Sequence, residues 1–254
     1  MLSFGSSLRI AAAAASCALV APAYADAPPM SLTVSASGAS GSFGKNIQVA
    51  PTSTSASGVG TYIGSATGTN GSSSIWNCNY NFSAASGMDY ATQSGSLSVT
   101  NTSGSDLSFA LSLTLPTFAA QQMTGLFNGS VSVGLITSSA TGGAGSLSPV
   151  SGTPMWVATT GGSPVGSLFN NWSTVARTTP GVSFVGSQSF GGSQPSLPTG
   201  SFGTNIAITF NFILSSGATA SFSTALAGVG NPVPAPGALA VLAVAGIGSR
   251  RRRR

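Results

Sequence analysis

The sequence predicts an all-β chain, an antiparallel β-sandwich or jelly roll. Apolar residues recur at every second position in its strongest segments. These segments are short and separated by Gly, Ser and Asn turn formers, and no stretch of domain length carries helical periodicity. Alternation places successive side chains on opposite faces, so each segment has one face to bury and one to leave in water.

Three segments carry the pattern most strongly. In 76–82, Trp76, Cys78, Tyr80 and Phe82 alternate with Asn77, Asn79 and Asn81. In 107–115, Leu107, Phe109, Leu111, Leu113 and Leu115 alternate with small or polar residues until Pro116, which cannot donate to a ladder, ends the strand. In 206–214, Ile206, Ile208, Phe210, Phe212 and Leu214 take the buried positions. Weaker strands are expected at 32–35, 47–49, 59–63, 97–100, 131–136, 182–185 and 218–226. Turn residues fall between them at 69–71, 103–106, 142–143, 161–162 and 191–192. The stretches 137–180 and 186–200 show no sustained period and read as loop. Residues 41–49 echo 200–208 (Gly-Ser-Phe-Gly, then Asn-Ile), which suggests two strands entered through the same turn.

The ends of the chain read as addresses. Residues 1–25 hold one positive charge (Arg9), an apolar stretch and the small-x-small triplet ending Ala23, Tyr24, Ala25, the pattern of a secretory signal peptide cleaved before Asp26. Cys17 sits within the apolar stretch, without the upstream large aliphatic residue of a lipoprotein acceptor, and leaves with the signal. Residues 26–230 then form one domain, and 231–254 a tail. The tail has prolines around Val233, Pro234, Ala235 and Pro236, an apolar run over 237–249, and then Arg250, Arg251, Arg252, Arg253 and Arg254. As a helix that run reaches only about 20 Å, short of a comfortable transmembrane helix, so it is a weak anchor whose arginines hold the cytoplasmic side.

This tail resembles the sorting signal of PEP-CTERM proteins, with Ala235 where the family pattern has the acidic residue of Pro-Glu-Pro. The resemblance implies a partner, an exosortase-type membrane protease that cuts near Val233 to Pro236. It also implies transient residence in the inner membrane, then a secreted or cell-surface location among exopolysaccharide and biofilm material.

Composition limits the chemistry. The net charge of +5 comes mainly from Arg9 and the terminal arginines, leaving Lys45 and Arg177 against Asp26, Asp89 and Asp106 in 26–230. Such a domain has no basic surface for a phosphate backbone, so nucleic acid is not an expected partner. There is no histidine and no glutamate. Paired-carboxylate chemistry would have to use Asp89 and Asp106, each in a turn where its side chain can bond local backbone. Lys45, in a Gly-rich turn, reads as a solvated charge, and no Gly-x-Ser-x-Gly elbow or phosphate loop is present. Cys78, alone after signal cleavage, reads as a buried thiol. No metal ligand set and no cofactor is expected, and five Asn-x-Ser/Thr sites (Asn70, Asn81, Asn101, Asn128, Asn171) are unremarkable in a chain so rich in Ser and Thr.

The sequence thus points to an exported, non-catalytic surface or extracellular-matrix protein. A reading from a different class is a secreted carbohydrate-binding module, with Trp156 and Trp172, beside Pro154 and the Asn170-Asn171 pair, as a platform for sugar rings. Burial in the core is the competing role for both tryptophans.

Overall fold

The computed structural model describes residues 27–39, 41–87, 89–118, 124–139, 142–201 and 203–231. Ala23 and Ala25, where signal-peptide cleavage is expected, the segment Val233 to Pro236, the apolar run 237–249 and the five terminal arginines lie outside the described residues. Among the described residues no helix is long and apolar enough to cross a membrane.

The expected antiparallel β-sandwich is what the chain forms, from two eight-stranded sheets. The first sheet runs β11 (Ser163–Leu168), β10 (Trp156–Thr160), β15 (Asn205–Leu214), β7 (Leu107–Pro116), β1 (Met30–Gly38) and β2 (Gly41–Val49). Within it β9 (Gly145–Ser148) pairs both β15 and β12 (Val175–Arg177). The second sheet runs β13 (Gly181–Phe190), β8 (Thr124–Thr137), β16 (Thr219–Asn231), β6 (Tyr90–Asn101), β5 (Ser73–Ser86), β4 (Gly60–Asn70) and β3 (Ser53–Thr54), with β14 (Leu197–Ser201) paired to β8.

The three strongest alternating segments became β5, β7 and β15, and their apolar residues line the inner faces. Leu111 pairs with Val34 on one side and Phe210 on the other, and all three are buried. In the facing sheet Tyr80, Leu97, Phe222 and Val133 form one cross-strand row. Phe222 bridges the sheets, its ring 4.6 Å from that of Phe210 and 5.1 Å from that of Phe212. Edge-tilted contacts of this kind add to simple area burial. Gly95 lies opposite Phe82, where a Cβ would overlap the Asn81 carbonyl and the Phe82 backbone, so only glycine lets β5 and β6 keep their register.

The chain passes between the sheets at a corner built on Asn101. Its Nδ2 donates to the carbonyls of Ser105 and Leu214, both at 2.8 Å. Its Oδ1 accepts from the Ser103 N–H at 2.9 Å and the Ser103 hydroxyl at 2.7 Å. Its backbone pairs with Ala218 and Gly217. One buried amide therefore closes both the β6-to-β7 crossing and the β15-to-β16 crossing, and its full satisfaction is what makes burial tolerable. Asn101 is fully buried, so in the folded chain it is no glycan acceptor.

Several expectations need correction. The stretch 137–180 is not loop: it holds β9, β10, β11 and β12, and β10 pairs along β15. These strands are too short to display a period, and β11 carries Pro164 and Gly166. Residues 186–190 continue β13, and 197–201 form β14. β13 is a half-solvated edge strand with a bulge between Phe184 and Gly186, so it has no continuous buried face to reveal in the sequence. The echo of 41–49 in 200–208 is not structural, since 41–49 lie wholly in β2 whereas 200–208 straddle the end of β14 and the start of β15.

Candidate functional site

Among the described residues the charged groups are dispersed, and only Lys45 and Arg177 tie parts of the framework together. Asp89 and Asp106 flank opposite ends of β6, a strand roughly 36 Å long at about 3.3 Å per residue, an arrangement unlike that of paired catalytic carboxylates. The turn 102–106 is held by Asn101 and Ser103, while Asp106 stays exposed. Lys45 lies in β2 and not in a turn, and its Nζ donates to the Thr67 carbonyl at 3.3 Å, joining the edges of the two sheets. Arg177 gathers the loop that follows it, donating to the carbonyls of Thr179 at 3.2 Å and Val182 at 3.0 Å and to the Ser183 hydroxyl at 2.9 Å. Among the described residues no group of His, Cys, Asp or Glu is placed to hold a metal ion.

Cys78 is fully buried on β5, and burial pushes its thiol up to about 12, so it stays protonated at neutral pH. This is the inert, packed thiol that the sequence suggested.

The two tryptophans have different fates. Trp156 opens β10 and is fully buried, so it offers no face to a sugar. Its Nε1 donates to the Thr224 hydroxyl at 2.8 Å, which in turn donates to the Ser130 carbonyl at 2.9 Å, and its ring tilts against Phe190 at 5.8 Å. The expectation that Trp156 belongs to a glycan platform is thereby overturned: β10 turns it inward, where its large apolar area fills the space between the sheets.

Trp172 remains at the surface, half-buried in the loop between β11 and β12. It lines a groove of about 510 Å³ with Asn170, Asn171, Pro149, Val150 and Thr153. Its Nε1 is buried without a hydrogen-bond partner. The loop starts from a strained residue, Phe169, whose φ of 53° lies in the left-handed region. Phe169 is held there by its N–H donating to Gln188 Oε1 at 2.6 Å and by its carbonyl accepting from the Met155 N–H at 3.3 Å. This strain redirects the chain just before the Asn-Asn-Trp triplet. An apolar ring beside two exposed amides can stack on a sugar and bond its hydroxyls. The wall at 149–153 carries no sequence signal beyond its Pro, Ser and Gly content.

No family model matches the chain, and no curated protein matches it. Among solved structures, that of TmCBM61 in complex with β-1,4-galactotriose is similar at 10% identity, covering 59% of this chain and 86% of that one with a TM-score of 0.22. A similarity of that size carries no argument about this chain.

Proposed function

We propose that residues 26–230 are the displayed body of an exported, non-catalytic surface or extracellular-matrix protein, sorted by the tail 231–254. The supporting observation is that β16, a strand paired on both sides, runs to Asn231, directly before the prolines. Pro232, Pro234 and Pro236 have no N–H to donate to a ladder, a composition that suits the segment Val233 to Pro236 to a protease. Arg250 to Arg254 resist outward passage while an exosortase-type protease cuts.

Intact mass spectrometry of the protein released from the cell surface tests this. A C-terminus at or before Pro236 is expected, and one retaining Arg250 to Arg254 rejects the processing. Ala235→Glu, which restores the acidic residue of the PEP-CTERM pattern, should raise the processed fraction.

The groove at Trp172 favours a second reading, a carbohydrate-binding module. In that case Trp172→Ala should weaken retention on a neutral polysaccharide in affinity electrophoresis by about ten-fold or more, as loss of a stacking aromatic does. An unchanged mobility shift rejects the module at this groove.

A further inference from the structure

We infer that the outer face of the second sheet is a second and distinct contact site, a trough that receives a linear, neutral polysaccharide laid across the strands. This deepens the matrix reading and rests on it. Ser187, Ser132, Ser223, Ser96 and Asn81 are successive cross-strand partners on β13, β8, β16, β6 and β5. The row spans about 19 Å at the usual strand spacing of about 4.8 Å. A parallel row of Ser189, Ser130, Ser94 and Ser83, with Ala225 between Ser130 and Ser94, lies about 6.8 Å along the strands. The first row and, from the second, Ser130, Ala225, Ser94 and Ser83 line a trough of about 510 Å³, and an adjoining hollow of about 300 Å³ continues it past Asn79 and Ser221.

The side chains in the first row are unspent. Among the described residues none of them has a hydrogen-bond partner, whereas the neighbouring pair Thr100 and Thr219 is satisfied at 2.8 Å and Ser112 with Thr209 on the other sheet at 3.3 Å. A hydroxyl both donates and accepts, so a lattice of free hydroxyls and amides matches a ligand that does the same along its length.

The lining also selects among occupants. No ionisable group lines the trough, which gives a polyanion nothing to pair with. Hydrophobic side chains are nearly absent from it, which disfavours an acyl chain or an apolar protein face. Its extension over five strands suits a chain more than a single sugar.

The test compares the full-length wild type, the triple variant S96A/S132A/S223A, the trough-filling variant Ser223→Gln and Trp172→Ala. Affinity electrophoresis in neutral glucan, galactan and mannan, with anionic alginate as the contrast, reads binding, and thermal melting confirms the fold. Both trough variants should lose ten-fold or more in affinity for at least one neutral polymer with unchanged melting, since each lost hydrogen bond is worth a few-fold or more. The trough is overturned if the wild type binds no neutral polymer, if it binds only alginate, or if only Trp172→Ala loses binding. It is equally overturned if the triple variant changes oligomeric state but not binding, which would make the face an interface between copies. Culture fractionation separates the two readings. Wild-type protein absent from the matrix fraction defeats the matrix reading, whereas its presence there, with trough variants that bind normally, defeats the trough alone.

Discussion

Asn101→Ala should cost about 3 to 5 kcal/mol of folding stability, since it strands several buried groups at roughly 1 to 3 kcal/mol each. The Leu214 carbonyl loses its side-chain donor and the Ser103 N–H its acceptor, while the Ser105 carbonyl keeps only the Ser103 hydroxyl, all at the corner where the chain twice changes sheets. Urea unfolding followed by tryptophan fluorescence measures the loss, and a midpoint equal to wild type would show that the corner closes without the amide. Asn101→Asp sharpens the test. It keeps an acceptor but aims a carboxyl at two carbonyls in a buried site, which favours the protonated acid and raises its folded-state pKa. The variant should therefore be most stable below the ordinary aspartate range, about 4, and lose stability as pH rises above it.

Leu111→Ala should cost about 2 to 5 kcal/mol, the range for removing a buried leucine from a core that cannot collapse around the gap. Leu111 is fully buried in β7, with Val34 and Phe210 fixed beside it by strands on both sides. Its neighbour Ala110 is exposed on the other face of the same strand, and Ala110→Ser should shift stability by less than about 0.5 kcal/mol. Equal urea midpoints for the two variants would contradict the burial pattern.

The inner faces were legible because burial imposes alternation on the residues themselves, as in Leu107 to Leu115. Strands such as β10 and β13 were hidden for the opposite reason: one is too short to show a period, and the other has too little buried face to require one. Asn101 gave no sign of its role, because one of its acceptors, Leu214, lies 113 positions away. Trp156 and Trp172 look alike in the sequence, and only the placement of one at the head of a strand and the other in a loop separates them. The serines of the trough were visible singly as the polar half of each alternation. Their alignment into rows depends on register and on β16 lying between β6 and β8, which no local pattern encodes.

The place of β16 has a mechanical consequence. Tension applied through the residues after Asn231 enters the body by a strand paired along its length to β8 on one side and to β6 on the other. Pulled along its axis against a load held by the rest of the sheet, such a strand is sheared, and its ladder bonds share the force at once. Attached instead to an edge such as β2, the same pull would open bonds one at a time, like a zipper. The chain thus meets its tail at a strand suited to withstand traction, and a polymer lying across five strands would spread that traction over the sheet.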